Sequence, residues 1–158
     1  MATRQQQLQA MIRMYREETG KTTFDMNDIA EFCEIKKWRM PRAKTPRELL
    51  ARELSAAAAA EYRHDPNTGR AYRANHAMNV GHGPKQMTLW FDVDQATRKQ
   101  MDLSLKQQRN QVVGTLYQMV VDSERWNSTH LNEEPLQVPL DFDPDIRWKM
   151  NEPLDKAG

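Results

Sequence analysis

The chain has 158 residues, of which 39% are hydrophobic and 28% charged, and its net charge of +1 conceals an uneven distribution. Residues 1–78 carry 14 basic against 10 acidic residues, whereas residues 79–158 carry 9 against 12, so a surface that binds polyanions is expected on the first half alone. A single cysteine excludes an intramolecular disulfide framework, and no secretory signal or membrane-length apolar run is visible, so we expect a cytoplasmic protein.

The amino-terminal segment predicts two amphipathic helices. The first spans residues 3–19, and Asp25 can cap the second. Between them, Lys21 to Phe24 favours an extended conformation. We interpret Cys33 as a small core residue and not as a nucleophile. The apolar positions that the two helices would bury are Leu8, Met11, Ile12, Tyr15, Ile29, Phe32 and Cys33.

The next stretch, residues 36–47, contains six basic residues and no acid, and it leads into a third helix. Thr45 can cap this helix, Pro46 suits its first position, and Glu48 can close a capping box. Such a stretch suits nucleic acid, because phosphates bind the cations while the amino end of the helix faces base edges or phosphate oxygens. The six basic residues are Lys36, Lys37, Arg39, Arg42, Lys44 and Arg47.

Residues 61–78 predict a two-stranded β-hairpin, because DPNTG at 65–69 is rich in turn-forming residues and tyrosines flank it. The order of helix, short strand, helix, basic connection, helix and hairpin resembles the winged helix-turn-helix DNA-binding domain over about residues 5–78. FDMNDIAEFCEI would be the supporting helix and DPNTGRAYR the wing. The resemblance implies that the third helix enters the major groove of DNA and that the wing touches the neighbouring backbone.

This resemblance predicts double-stranded DNA as the partner, and it assigns three groups of contact residues. Arg47 is the best candidate for a contact to guanine. Single-stranded nucleic acid remains an alternative, because Trp38, Tyr62 and Tyr72 offer stacking surfaces. The expected phosphate ligands are Lys36, Lys37, Arg39, Arg42 and Lys44; the reading helix presents Thr45, Arg47, Glu48 and Arg52; the wing supplies Arg63, Arg70 and Arg73.

The second half of the chain predicts a linker, a strand and a long helix. Residues 79–86 are rich in Gly and Pro, Met87 to Phe91 suits a short strand, and Asp94 can cap a helix over about residues 95–125. Residues of this helix repeat at nearly heptad spacing, which predicts either packing within the chain or a homodimer seam. The residues at these positions are Met101, Leu105, Gln108, Val112, Leu116 and Met119.

Residues 127–158 form a tail rich in proline and acid, for which we expect an extended strip over an apolar groove, a short last helix, and disorder beyond Asn151. Asp141, Asp143 and Asp145 would share one face of an extended strand, but no further ligand accompanies them, so no metal site is expected. The alternating apolar residues are Leu136, Val138, Leu140 and Phe142.

The four histidines are dispersed, and no spacing suggests a nucleophile with its base, so we expect no enzyme, no metal and no cofactor. The predicted fold is mainly α with a small β-hairpin. It consists of a winged-helix domain at 1–78, a linker at 79–86, a strand and long helix at 87–126, and a tail at 127–158.

Two functions follow from these predictions. The first is a non-catalytic double-stranded DNA-binding protein, a regulator or accessory factor associated with the nucleoid, which would dimerise through the helix at 95–125. The alternative is a protein–protein adaptor subunit of a multicomponent assembly, in which the winged domain docks a protein and the acidic tail contacts a basic partner.

Overall fold

A computed structural model describes residues 1–153, which fall into two compact units divided between Leu49 and Leu50. The chain is mainly helical and contains two small antiparallel sheets. No helix in the described part is long and apolar enough to cross a membrane. The elements in chain order are α1 (Arg4–Thr19), α2 (Met26–Ile35), α3 (Pro46–Ala60), β1 (Tyr62–His64), β2 (Ala71–Arg73), β3 (Asn75–Val80), β4 (Met87–Asp92), α4 (Arg98–Thr129) and α5 (Asp143–Asn151).

The first unit is built on α1 and α2, whose apolar faces meet as their spacing predicts. Met11 and Tyr15 of α1 form a buried cluster with Ile29 and Cys33 of α2. Cys33 is therefore a core residue, as expected. The partly buried side chains that pack against the cluster are Ile12, Phe24, Phe32 and Trp38.

The connection between α1 and α2 departs from the prediction of an extended segment. Lys21 to Phe24 contains bends and is not part of any described strand, because no neighbouring strand offers its backbone a partner. Phe24 instead places its ring edge-on to that of Tyr15, with 6.4 Å between the centroids. Asp25 caps α2 as predicted, since its carboxylate accepts the N–H of Asn27 at 2.6 Å.

The third helix begins where its capping signals predict but buries little. None of the 15 described residues of α3 is buried, and Leu50 and Leu54 are more than half exposed. The buried cluster of the first unit takes its members from α1 and α2. The winged-helix arrangement therefore remains a prediction.

The second unit contains two hairpins. β1 and β2 pair antiparallel with Tyr62 opposite Arg73, so the hairpin around residues 65–69 is confirmed. β3 and β4 form a second hairpin, with Asn75 opposite Asp92 and Val80 opposite Met87.

The predicted linker at 79–86 lies inside this second hairpin, where residues 81–86 form the turn between its strands. Gly81 has φ +86°, and a Cβ there would clash with the carbonyl of Lys85, so the turn requires glycine at this position. The glycines and proline of the segment thus mark a turn. The division between the units falls instead within α3.

The long helix α4 has 32 residues, which corresponds to about 48 Å. It begins after Thr97, whose hydroxyl accepts the N–H of Gln100 at 3.2 Å, and the Gln100 side chain accepts the N–H of Thr97 at 2.9 Å. Asp94 is therefore not the cap, because it lies in a short 3-10 turn that precedes the helix.

The side of α4 that packs against β3 is polar. Ser104 is fully buried, and its hydroxyl donates to the carbonyl of Ala77 at 2.8 Å. Gln107 accepts the N–H of Asn79 and donates to its carbonyl, both at 2.8 Å. Hydrogen bonds thus fasten the helix to the sheet.

Beyond α4 the tail is held at two points. The Asn127 amide makes two hydrogen bonds with the backbone of Leu136, at 2.9 and 2.7 Å, and Arg70 donates to the carbonyl of Met150 at 2.8 Å. The expected short helix is α5. The apolar strip does not lie in an apolar groove over most of its length, because Leu136, Leu140 and Phe142 are exposed and only Val138 is half-buried. Of the residues expected to be disordered, 154–158 lie outside the described part.

Candidate nucleic-acid interface

The end of α2 directs the chain into the basic segment, which we define as residues 36–47. Trp38 donates its backbone N–H to the carbonyl of Cys33, and Lys37 donates to that of Glu34, both at 2.9 Å. These two bonds form a Schellman motif, in which the donor of the inner bond adopts a left-handed conformation. That residue is Lys37, with φ +57°, at a position where glycine is usual because a Cβ is crowded.

Trp38 packs its ring against the buried cluster of the first unit. The Arg4 guanidinium lies over the outer side of the ring, 5.2 Å from its centroid. Trp38 therefore anchors the start of the basic segment to α1 and α2. A base could not stack on it without displacing Arg4.

Three arginines line one groove in the first unit, which we call the arginine groove. Arg4, Arg39 and Arg42 surround an open cavity of about 370 Å³ together with Met40 and Pro41. Arg4 also donates to the carbonyl of Arg39 at 3.2 Å, which joins the start of α1 to the basic segment. Sequence patterning did not indicate Arg4, because its partners lie far along the chain.

The capping box of α3 is formed as predicted. The Thr45 N–H donates to the Glu48 carboxylate at 2.7 Å, and the Glu48 N–H donates to the Thr45 hydroxyl at 3.2 Å. Arg42 donates two hydrogen bonds to the same carboxylate, at 2.6 and 3.3 Å. The Arg42 bonds, with a further contribution from the Thr45 N–H, hold the pKa of Glu48 below its usual value. Glu48 thus neutralises part of the charge at the groove, and its predicted contact with bases remains a prediction.

The other basic residues of the segment differ in what their side chains contact. Lys36 pairs with Glu18 at 2.9 Å and lies over the ring of Phe32. Four others are exposed, and no ion pair engages them among the described residues, so their charges are available to a polyanion. These four are Lys37, Arg39, Lys44 and Arg47; Arg52, further along α3, is exposed in the same way.

Arg63, one of the predicted wing residues, lies in a cluster of carboxylates within the second unit. Its guanidinium makes two hydrogen bonds to Asp92, at 2.8 and 2.7 Å, and one to Asp94 at 2.7 Å. The Arg63 bonds lower the pKa of Asp92 to about 2, and the same contacts raise the pKa of Arg63. Tyr72 donates to Asp94 at 2.9 Å, which raises the pKa of its hydroxyl. Arg63 thus joins β1 to the end of β4, and two carboxylates balance its charge.

The remaining wing arginines are also in the second unit. Arg70 donates to Met150, as described above. Arg73 is exposed and lines a polar cavity of about 170 Å³ between β3 and α4, together with His76 and Gln108. Burial and the nearby Arg73 charge lower the pKa of His76 and so favour its neutral ring.

The residues of the predicted homodimer seam on α4 do not share one environment. Gln108 donates to the Ser104 hydroxyl at 3.1 Å and therefore belongs to the contact with β3. Met101 and Leu116 are half-buried. Leu105, Val112 and Met119 are exposed by 51, 57 and 48%, respectively.

The carboxylates considered as a cation site do not form one strand face. Asp143 begins α5 and pairs with Arg147 at 2.7 Å, so the alternation of extended backbone ends before it. Within residues 1–153, no three acidic, histidine or cysteine side chains are grouped to hold a metal ion. No family model, curated protein or solved structure matches the chain.

Proposed function

We propose that the protein is a non-catalytic double-stranded DNA-binding protein, a regulator or accessory factor of the cytoplasm or nucleoid, that contacts DNA through its first unit. The observation that carries the proposal is the convergence of Arg4, Arg39 and Arg42 on one groove. Arginine suits this role, because its planar guanidinium donates paired hydrogen bonds to phosphate.

The backbone at Lys37 supports the same proposal. A residue with a Cβ in the left-handed conformation costs about 1 kcal/mol relative to glycine. A lysine at this position is therefore unfavourable for the fold, and a phosphate contact made by its side chain would offset that cost.

One aromatic contact of the first unit favours a duplex over a single strand. Trp38 is packed against the buried cluster with the Arg4 guanidinium over its ring, whereas the exposed Tyr62 belongs to the second unit. Proteins that bind single strands use accessible aromatic faces, whereas cations without such faces suit the phosphates of a duplex. Arg47, exposed in the first turn of α3, is the side chain proposed to reach a guanine edge.

The proposal is tested by titrating a labelled duplex with the full chain at several salt concentrations. If the groove arginines, Lys37, Lys44 and Arg47 each neutralise one phosphate, log K falls with log salt at a slope of about −5. Arg39→Ala should reduce that slope by about 1 and weaken all sequences alike, whereas Arg47→Ala should relax sequence preference.

Lys85→Gln is the matched control, because Lys85 is an exposed cation in the turn of the second hairpin. It should leave the salt slope unchanged. A wild-type chain that forms no salt-dependent complex with any duplex would contradict the proposal.

A second candidate function is an adaptor subunit of a protein assembly, and the exposed apolar side chains of the second unit favour it. The same titration separates the two functions. An adaptor forms no complex with duplex DNA, and its affinity for a protein partner depends on the second unit.

A further inference from the structure

Helix α4 turns Ser104 and Gln107 towards the sheet and leaves part of its apolar surface exposed. An α-helix advances about 100° per residue, which places Ser104, Gln107 and Gln111 on one side. An apolar stripe occupies the other side, and five of its six side chains are exposed. We define the stripe as Leu105, Val112, Val113, Leu116, Tyr117 and Met119, of which Tyr117 is 69% exposed.

The second unit also lacks an apolar core of its own. Among residues 50–153, the buried side chains are those of Ala74 and Ser104, neither of which is large. Burial of large apolar side chains supplies most of the free energy that offsets the entropy of ordering a chain. The second unit would therefore gain stability if another molecule covered its exposed apolar surface.

The exposed area is sufficient for such an interface. The chain exposes 13977 Å², whereas two separate compact domains of these sizes would together expose about 9,700 Å². The additional exposed area is about 4,000 Å². Each subunit of an obligate homodimer buries roughly 1,000–2,500 Å², which is less. One interface between two copies is thus within the surface that the chain offers.

The charges of α4 are complementary to those of a second, antiparallel α4. Residues 98–113 carry four cations and one acid, whereas residues 114–129 carry two acids and one cation. An antiparallel pair places the basic half of each helix against the acidic half of its partner, and it also opposes the two helix dipoles favourably. A parallel pair would instead place the two basic halves together.

We propose that a second copy of this chain covers the apolar stripe, with the two α4 helices antiparallel and crossing near their midpoints. Val112 and Leu116 form the apolar part of an open groove of about 420 Å³, which can receive side chains of the partner copy; its other lining residues are Arg73, Gln108, Gln111 and Thr115. Such a pair has two-fold symmetry, which is the commonest symmetry of homo-oligomers, and a second copy is present wherever the chain is made. This inference is independent of DNA binding, because its residues lie in the second unit.

The first test is the mass of the full chain, measured by sedimentation equilibrium over a range of concentrations. We expect twice the 18.5 kDa of one chain, and an unfolding temperature that rises with protein concentration. A monomer that unfolds cooperatively, at a temperature independent of concentration, would overturn the proposal.

The second test alters the stripe. Val112→Lys combined with Tyr117→Lys should abolish the dimer and weaken the helical circular dichroism of the second unit. The control is Gln118→Lys, which adds one of the two positive charges on the polar side of the helix, where Gln118 bonds to Asp122. A double variant that remains dimeric would show that another surface associates.

The third test keeps the fold intact and reads the orientation by disulfide cross-linking, with Cys33→Ala in the background. Val113→Cys at the midpoint of α4 should form a disulfide-linked dimer on oxidation, because antiparallel helices bring the two copies of this residue together. Leu105→Cys, about 12 Å along the helix from the midpoint, should not link to itself. Cross-linking at Leu105 and not at Val113 would overturn the antiparallel arrangement.

Discussion

The backbone N–H of Trp38 donates to the carbonyl of Cys33 at 2.9 Å and holds Lys37, the residue before it, in the left-handed conformation. Lys37→Gly should therefore raise the free energy of unfolding of the first unit by up to about 1 kcal/mol, because glycine adopts φ +57° without crowding. The same change removes a cation and should weaken duplex binding to every sequence alike. Urea denaturation and fluorescence anisotropy measure the two effects.

The control for that experiment is Lys37→Asn, which also removes the charge but tolerates the left-handed conformation less well than glycine. It should weaken binding as much as Lys37→Gly with a smaller gain in stability. If Lys37→Gly weakens binding but destabilises the fold, the strain argument is wrong. If it stabilises the fold but leaves binding unchanged, Lys37 does not contact phosphate.

Glu48→Gln should strengthen duplex binding several-fold at low salt. The carboxylate neutralises part of the charge of Arg42 through bonds at 2.6 and 3.3 Å, whereas glutamine still closes the capping box with Thr45. Anisotropy titration at fixed salt measures the change, and Glu53→Gln on the exposed part of α3 serves as the matched control. A loss of affinity would instead indicate that Glu48 contacts bases, as the sequence pattern first suggested.

The Asp92–Arg63 contact predicts how stability depends on acid. Folding lowers the pKa of Asp92 to about 2, whereas an unfolded aspartate has a pKa of about 3.9. Its ionised form therefore stabilises the folded chain above about pH 4, and that contribution is lost as the pH falls through about 2. We expect the unfolding temperature to fall across this window.

Asp92→Asn separates this carboxylate from the other acids of the chain. The variant should unfold at a lower temperature at pH 7, and its unfolding temperature should change less than that of the wild type between about pH 4 and pH 2. Glu124→Gln on α4 is the control, because Glu124 is exposed and no ion pair engages it among the described residues. Equal pH dependence in Asp92→Asn and the wild type would show that the Arg63–Asp92 contact does not stabilise the fold.

Ser104→Ala should lower the free energy of unfolding by about 1 kcal/mol, because the carbonyl of Ala77 and the amide of Gln108 both lose a buried partner. Ser104→Leu should cost more, since a fully buried serine leaves no room for a larger side chain. Thermal unfolding measures both. Ser128→Ala, exposed near the end of α4, is the control and should change stability little. A stabilising Ser104→Leu would show that the polar contact with β3 is incidental.

Local capping chemistry was predictable from the sequence, because its partners lie within one helical turn. Thr45 with Glu48 and Asp25 with Asn27 form the expected bonds. Asp94 is the exception. Its carboxylate binds Arg63 and Tyr72, which lie 31 and 22 residues earlier, and no local pattern indicates such partners.

β3 was missed because its burial does not alternate. All six of its residues, Asn75 to Val80, are half-buried, whereas the pattern that marks a strand requires one exposed and one covered face. The adjoining glycines and proline then suggested a linker. Arg4 was missed for a related reason, since only the folded first unit brings it to the basic segment.

The polar packing of α4 on β3 has a consequence for natural variation. In most amphipathic helices, residues change most freely at the solvent-facing positions and most slowly at the positions that face the core. Here the identities of Ser104 and Gln107 are constrained by their hydrogen bonds to β3. Those of the exposed Val112, Val113 and Tyr117 are constrained as well if a second copy of the chain covers them. Selection would then act on both faces of α4, and only the residues between the two faces would be free to vary in sequence.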